Sequence, residues 1–233
     1  VGASYRRFSG RHTLTVTLSH NYLNNRNVKY RNNDESSEDY LTLRSRAVEQ
    51  KSTLRAENRS YFGRWTLREG AEVNYLHYAD RTLRRLYTQQ AGVADYRTRL
   101  GIVGWGAFAG ADYRSADDRL SVSGGLRFDG CDWSGRTARL WERLSPRLSF
   151  SYALGGGWSV GASTGLYYQL PPLTALGFRD GAGVLVNRDL GYMRVAGSAA
   201  GFDWRLRDRL VVSVEGFYKY YTDIPLSVTD GIP

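Results

Sequence analysis

Apolar and polar residues take turns along most of this chain, and this period of two, rather than any apolar run, organises it. From Arg119 to Asp129 one face carries Leu120, Val122, Gly124, Leu126 and Phe128, and the other carries Arg119, Ser121, Ser123, Arg127 and Asp129. Leu14, Val16 and Leu18 oppose Thr13, Thr15, Thr17 and Ser19 in the same way, and Leu148, Phe150, Tyr152 and Leu154 oppose Arg147, Ser149 and Ser151. Looser versions occupy residues 65–75, 99–113, 191–206 and 209–221. Each such stretch predicts a β-strand with two unlike faces.

The connections carry more information than any single strand. Tight links are expected at Ser9-Gly10, Gly63-Arg64, Ala116-Asp117, Gly155-Gly156 and Arg207-Asp208. Between them lie long polar loops centred near Asn32, Gln89, Gly135 and Gly177, with another starting after Asp223. Short and long connections in alternation, joining about ten strands, describe an all-β, antiparallel up-and-down sheet of the kind that closes into a transmembrane β-barrel. Several strands are long enough to cross a bilayer and protrude beyond it. Tyr22, Trp65, Tyr75, Phe128, Trp158, Tyr168, Phe202, Tyr218 and Tyr220 stand near strand ends, where amphipathic rings form interfacial belts.

The segment "GASTGLYYQLPP" admits a second reading. Gly161, Ser163 and Gly165 spell the G-x-S-x-G of a serine hydrolase, whereas Ala162, Thr164, Leu166 and Tyr168 spell the lipid face of a strand. A hydrolase elbow needs a helix next and a histidine downstream. The double proline at Pro171-Pro172 is expected to block the helix, and His12, His20 and His77 all precede Ser163. Gly104, Gly106 and Ala109 fit a loose dinucleotide fingerprint, but a turn and a strand follow instead of a helix. Asp34, Glu35, Glu38 and Asp39 are expected to form a solvated loop face, lacking the spacing of a calcium loop.

Composition agrees with a polar, strand-rich chain: 17 Tyr, 26 Gly and 6 Trp against 5 Pro among 233 residues. A net charge of +9 points to an anionic partner. Lipopolysaccharide and an acidic ligand both stay open as that partner, whereas nucleic acid is not expected, because the arginines are spread along the chain, often beside Asp or Glu. Cys131 stands alone, so neither an intrachain disulfide nor a cysteine metal site is expected. No signal peptide is read at the start.

The stretches "GLRFD" (Gly125 to Asp129), "LSPRLSFSYAL" (Leu144 to Leu154), "GASTGLYYQLPPL" (Gly161 to Leu173) and "VEGFYKYYTDIP" (Val214 to Pro225) occur in an order and spacing that resemble the barrel of TonB-dependent outer-membrane receptors, particularly those of Bacteroidetes. The resemblance runs from about Asn58 to the end, although the Pro-Glu usual after Asn187 and Leu190 is missing. It implies that residues 1–233 are one section of a larger barrel of the 22-strand type, with plug domain and TonB box outside this chain.

The resemblance further implies a receptor in the bacterial outer membrane that imports a scarce nutrient (siderophore, haem, cobalamin, glycan or peptide) with energy from the TonB complex, relayed through the plug. It implies no enzyme chemistry, no catalytic or metal-binding residue and no cofactor. Arg127, Arg147 and Glu215 are expected to face the lumen, and Trp133, Trp141, Tyr167, Gln169 and Arg179 to meet ligand from outer loops. Expected partners are lipid, lipopolysaccharide, the small nutrient and an adjacent surface lipoprotein. Two other readings stay open, a passive or structural outer-membrane barrel and a secreted soluble β-rich binding module.

Overall fold

A computed structural model describes residues 1–86, 92–180, 182–206 and 209–225. Ten strands follow one another: β1 (Gly2–Ser9), β2 (His12–Tyr30), β3 (Leu41–Phe62), β4 (Trp65–Leu86), β5 (Gly92–Arg114), β6 (Leu120–Cys131), β7 (Leu144–Gly155), β8 (Trp158–Gln169), β9 (Met193–Leu206) and β10 (Leu210–Thr222). They form a single sheet in sequence order, each strand antiparallel to the next. The sheet is open, with β1 and β10 as its two edges.

Pairing register sorts side chains to two faces, because residues directly opposite each other point the same way. All nine aromatics expected at strand ends point outward, together with Leu14, Val16 and Leu18 of β2, Leu67 and Val73 of β4, and Leu148, Phe150 and Tyr152 of β7. Many of these greasy side chains remain exposed, as a lipid-facing surface requires and a soluble core does not allow. The opposite face carries Arg55, Glu72, Arg127, Arg147, Ser149, Ser163 and Glu215. Arg55 of β3 and Tyr167 of β8 line one groove on that face, although five strand spacings, about 24 Å, would separate them in a flat sheet. The sheet therefore curls around its polar side.

Register also fixes the tilt. The first hairpin closes at Ser9 and His12, and His12 pairs with Ser60, yet β3 runs on to Phe62 before closing the next hairpin on Trp65. Successive short turns thus step by about two residues, roughly 6.6 Å, over a two-strand width of roughly 9.6 Å, which tilts the strands by about 35°. On β4 the outward aromatics Trp65 and Tyr75 bracket the lipid face, as Trp158 and Tyr168 do on β8. Ten residues at that tilt span about 27 Å, close to the roughly 25 Å apolar band of outer-membrane barrels.

The short connections fall where the pattern puts them, with glycines at positive φ in three of the turns: Gly10 (55°), Gly63 (59°) and Gly156 (61°). The links at Gln89 and at Arg207-Asp208 lie outside the described residues. The long connections 31–40, 132–143 and 170–192 all leave from the other end of the sheet. Two expectations need correcting. The polar stretch around Gln89 is pairing strand up to Leu86 and again from Gly92, so less of it is loop than hydropathy suggested. Pro171-Pro172 also do not prevent a helix. Pro172 caps a single turn, Leu173–Leu176, since a proline costs nothing where the first helical N–H has no partner. The segment from Gly161 to Gly165 is plain strand with Ser163 paired to Ser149 and Ala199, so no nucleophile elbow forms.

These faces make two sharp predictions. Leu148→Arg should destabilise the protein refolded into lipid vesicles by about 2–4 kcal/mol in a guanidinium titration, while the inward neighbour Ser149→Arg should cost under about 1 kcal/mol. Gly70 sits beneath Phe108, where a Cβ would come within 2.6 Å of the ring. In the same titration Gly70→Val should cost about 1–3 kcal/mol through overpacking.

Candidate ligand-facing site

The polar face is built of fixed charge pairs. Arg127 on β6 reaches across β5 to Glu72 on β4 at 2.7 Å and also holds Asp129 at 2.6 Å. Arg55 spans Glu57 and Glu72 at 2.8 and 3.2 Å, Arg59 holds Glu57 at 2.7 Å, and Arg68 holds Asp112 at 2.8 Å. Glycine makes room for this ladder: a Cβ at Gly106 would meet the Asp129 carboxylate and the Arg127 guanidinium. Glu57, Glu72, Asp129 and Arg127 are largely shielded while Arg55, Arg59 and Arg68 stay open to water, and the ladder holds these long side chains flat against the wall. Arg147 differs. It has no acidic partner among the described residues and instead lies over the Tyr167 ring at 4.6 Å, in a groove with Ser123, Ser149 and Ser163.

Above this wall stands a second structure that only the three-dimensional arrangement reveals. Strands β2 to β5 run 19 to 23 residues, whereas β6 to β10 run 12 to 14. The surplus on the long strands forms a raised wall, and the loops 132–143 and 170–192, which leave the short strands, lean on its polar side. Trp133 and Leu176 bury there against Tyr78, Leu100 and Ile102, with Leu173, Leu185 and Leu190 packed alongside. Thr98 donates to the Gly177 carbonyl at 2.6 Å and accepts from Arg179 Nε at 3.1 Å. Gly177 approaches so closely that a Cβ would sit 2.9 Å from the Thr98 methyl.

Cations bind the two loops together. Arg188 lies 4.8 Å over the Trp133 ring, and the buried Arg143 lies 4.7 Å over Tyr192 while donating to the carbonyls of Arg139 and Arg136. Burial, followed by the neighbouring Cys131 thiol, pushes the Tyr192 phenol above its ordinary range, so it stays neutral there. The loops thus form one folded lobe with its own small core.

The five side chains expected to meet ligand from outer loops end up in different places. Tyr167 and Gln169 belong to β8 and point inward, so they are strand residues. Trp133 is 2% exposed and serves the lobe core. Trp141 is 82% exposed and stacks edge-on against the outward Phe128 at 6.3 Å, so it joins the outer aromatic row. Arg179 clamps the lobe through Thr98 and the Gly183 carbonyl. Sequence reasoning missed Arg188, Tyr192, Thr98 and Phe108; for Thr98 and Phe108 the signal was available, since both share the inward parity of β5. The acidic loop forms turns: Asp34 accepts from the Ser36 amide and Glu38 holds Arg44 at 2.6 Å. No cluster of metal-ligating side chains occurs among the described residues.

The β-barrel domain described as TonB dependent receptor-like matches residues 1–233 of this chain. Among solved structures, similarity extends over 94% of the chain to the copper transporter OprC, at 15% identity and TM-score 0.70. A mutant of the ferric enterobactin receptor PfeA from Pseudomonas aeruginosa covers the same share at 14% identity and TM-score 0.67. The pyoverdine outer membrane receptor FpvA from Pseudomonas aeruginosa PAO1, bound to pyoverdine, does so at 16% and 0.67. The chain spans 39%, 34% and 35% of those three chains. No curated protein sequence matches it. Receptors and transporters, not enzymes, make up this company, and the chain belongs to the TonB-dependent receptor β-barrel family of the outer membrane.

Proposed function

We propose that this chain forms part of the wall of a receptor that captures a scarce nutrient outside the cell and admits it through a plugged lumen with energy from the TonB complex. The observation that carries the reading is the match of the family barrel to every residue of a sheet whose two faces suit lipid and water. A closed barrel of the 22-strand type is too wide for its own side chains to fill, which leaves room for a plug contributed by another part of the protein. The cargo belongs to the class of siderophores, haem, cobalamin, glycans or small peptides.

Within that reading Tyr167, Gln169 and Arg147 meet cargo from the wall, below the lobe that Arg179 and Trp133 hold in place. Tyr167 offers its ring, and Arg147 a guanidinium with no acidic partner among the described residues, to an anionic or aromatic cargo. Outside, arginines above the outer aromatic row, such as Arg81 and Arg85, lie where lipopolysaccharide phosphates gather.

Two experiments test this. Deleting the gene should impair growth on one such nutrient supplied too sparsely for passive entry, and adding a TonB deletion should make the defect no worse; an additive defect contradicts TonB coupling. Trp133→Ala should lower cargo binding by about tenfold or more through loss of the lobe core while the barrel keeps its heat-modifiable migration on gels, whereas Trp141→Ala should leave binding within about twofold.

A further inference from the structure

The lipid-facing surface carries one residue that does not belong in lipid. Glu69 points outward from β4, four of the ten steps from Trp65 to Tyr75, and so lies close to the middle of the apolar band. Among the described residues it is the only Asp, Glu, Lys or Arg that does. Arg7 points outward at the level of the lower aromatic row, and Arg194 beyond the upper one. An ionisable side chain at that depth is costly and calls for a partner.

Glu69 does not stand alone. Asn58, directly opposite on β3, donates to its Oε1 at 3.2 Å and to Ser60 Oγ at 3.1 Å, and Ser60 joins His12 Nδ1 at 2.8 Å. This polar chain runs over the outer surface of β2, β3 and β4. Glu69 accepts one hydrogen bond among the described residues, although a carboxyl group offers about four acceptor sites. The ground around it is uneven. Outward positions of β5 are Ala107, Ala109 and Ala111, a furrow continued by Ala71 and Ala56, whereas β2 raises a ridge of Leu14, Val16 and Leu18.

We propose that the outer face of β2 to β5 is the two-fold contact between two copies of this chain in the membrane, an inference that rests on the membrane-spanning reading above. A donor beside an acceptor is self-complementary under two-fold rotation. With the axis along the membrane normal, midway between β3 and β4, Asn58 of each copy faces Glu69 of the other, and the leucine and valine ridge of each β2 enters the alanine furrow of the opposite β5. Small residues that let backbones approach and polar side chains that bond across the gap are the two features that drive association inside lipid.

The test uses the intact protein in lipid nanodiscs, in a Cys131→Ser background. Native mass spectrometry should give twice the protomer mass. Ala56 and Ala71 are register partners within one chain, so the two cysteines are placed in separate copies: Ala56→Cys protein refolded together with Ala71→Cys protein should form an intermolecular disulfide, and Val214→Cys, at similar depth on β10, should not. Asn58→Leu with Glu69→Leu should lower the dimer fraction at least tenfold, while Glu69→Gln, which keeps the shape and the accepting oxygen, should retain it. Monomeric protein, a dimer indifferent to the double leucine variant, or disulfides to a different protein would each overturn the proposal. Heat-modifiable migration of every variant keeps these outcomes separate from failure of the barrel itself.

Discussion

In the hydrocarbon of a bilayer a backbone N–H or C=O without a partner has no water to fall back on, and each one left bare costs several kcal/mol. This demand shapes the molecule more than any side-chain contact does. Ten strands answer it by pairing in sequence order without a gap, and the near-continuous registers from Gly2 to Thr222 are its direct expression. Once the backbone is spoken for, side chains divide by parity, one set for lipid and the other for a wet interior. The tilt of about 35° follows from the two-residue step between turns and brings the aromatic rows to the spacing of a membrane.

Much of this was legible in the sequence because its signals are local. Leu120 to Phe128 and Leu148 to Leu154 announce their outer face by strict alternation, and turn glycines such as Gly63 mark the hairpins. The nine belt aromatics all share the outward parity, but Tyr22 and Tyr75 lie mid-strand and not near strand ends, because β2 and β4 run on well past the apolar band. Tyr167 and Gln169 were misplaced in a loop because a loop composed of β-prone residues looks like the end of a strand, and only pairing with Val195 and Met193 decides between them.

What could not be read is what depends on distant contacts. Trp133 looks like a ligand-facing loop aromatic until Arg188, 55 residues later, covers it. Glu69 already shares the apolar parity of Trp65, Leu67, Val73 and Tyr75, but its pairing with Asn58 on β3 emerges only from the register. The lobe exists because β2 to β5 outrun β6 to β10, a difference in length that gives loops 132–143 and 170–192 a wall to fold against.

The division of each strand into a lipid side and a water side is the claim on which fold, family role and membrane contact all rest. Single cysteines at positions 160 through 167 on β8, introduced with Cys131→Ser and labelled with a fluorophore in vesicles, test it most directly. Labels at Val160, Ala162, Thr164 and Leu166 should be quenched by nitroxides on lipid chains. Labels at Gly161, Ser163, Gly165 and Tyr167 should instead respond to iodide in water. Quenching that fails to alternate with a period of two, or alternates in the opposite sense, would contradict the account.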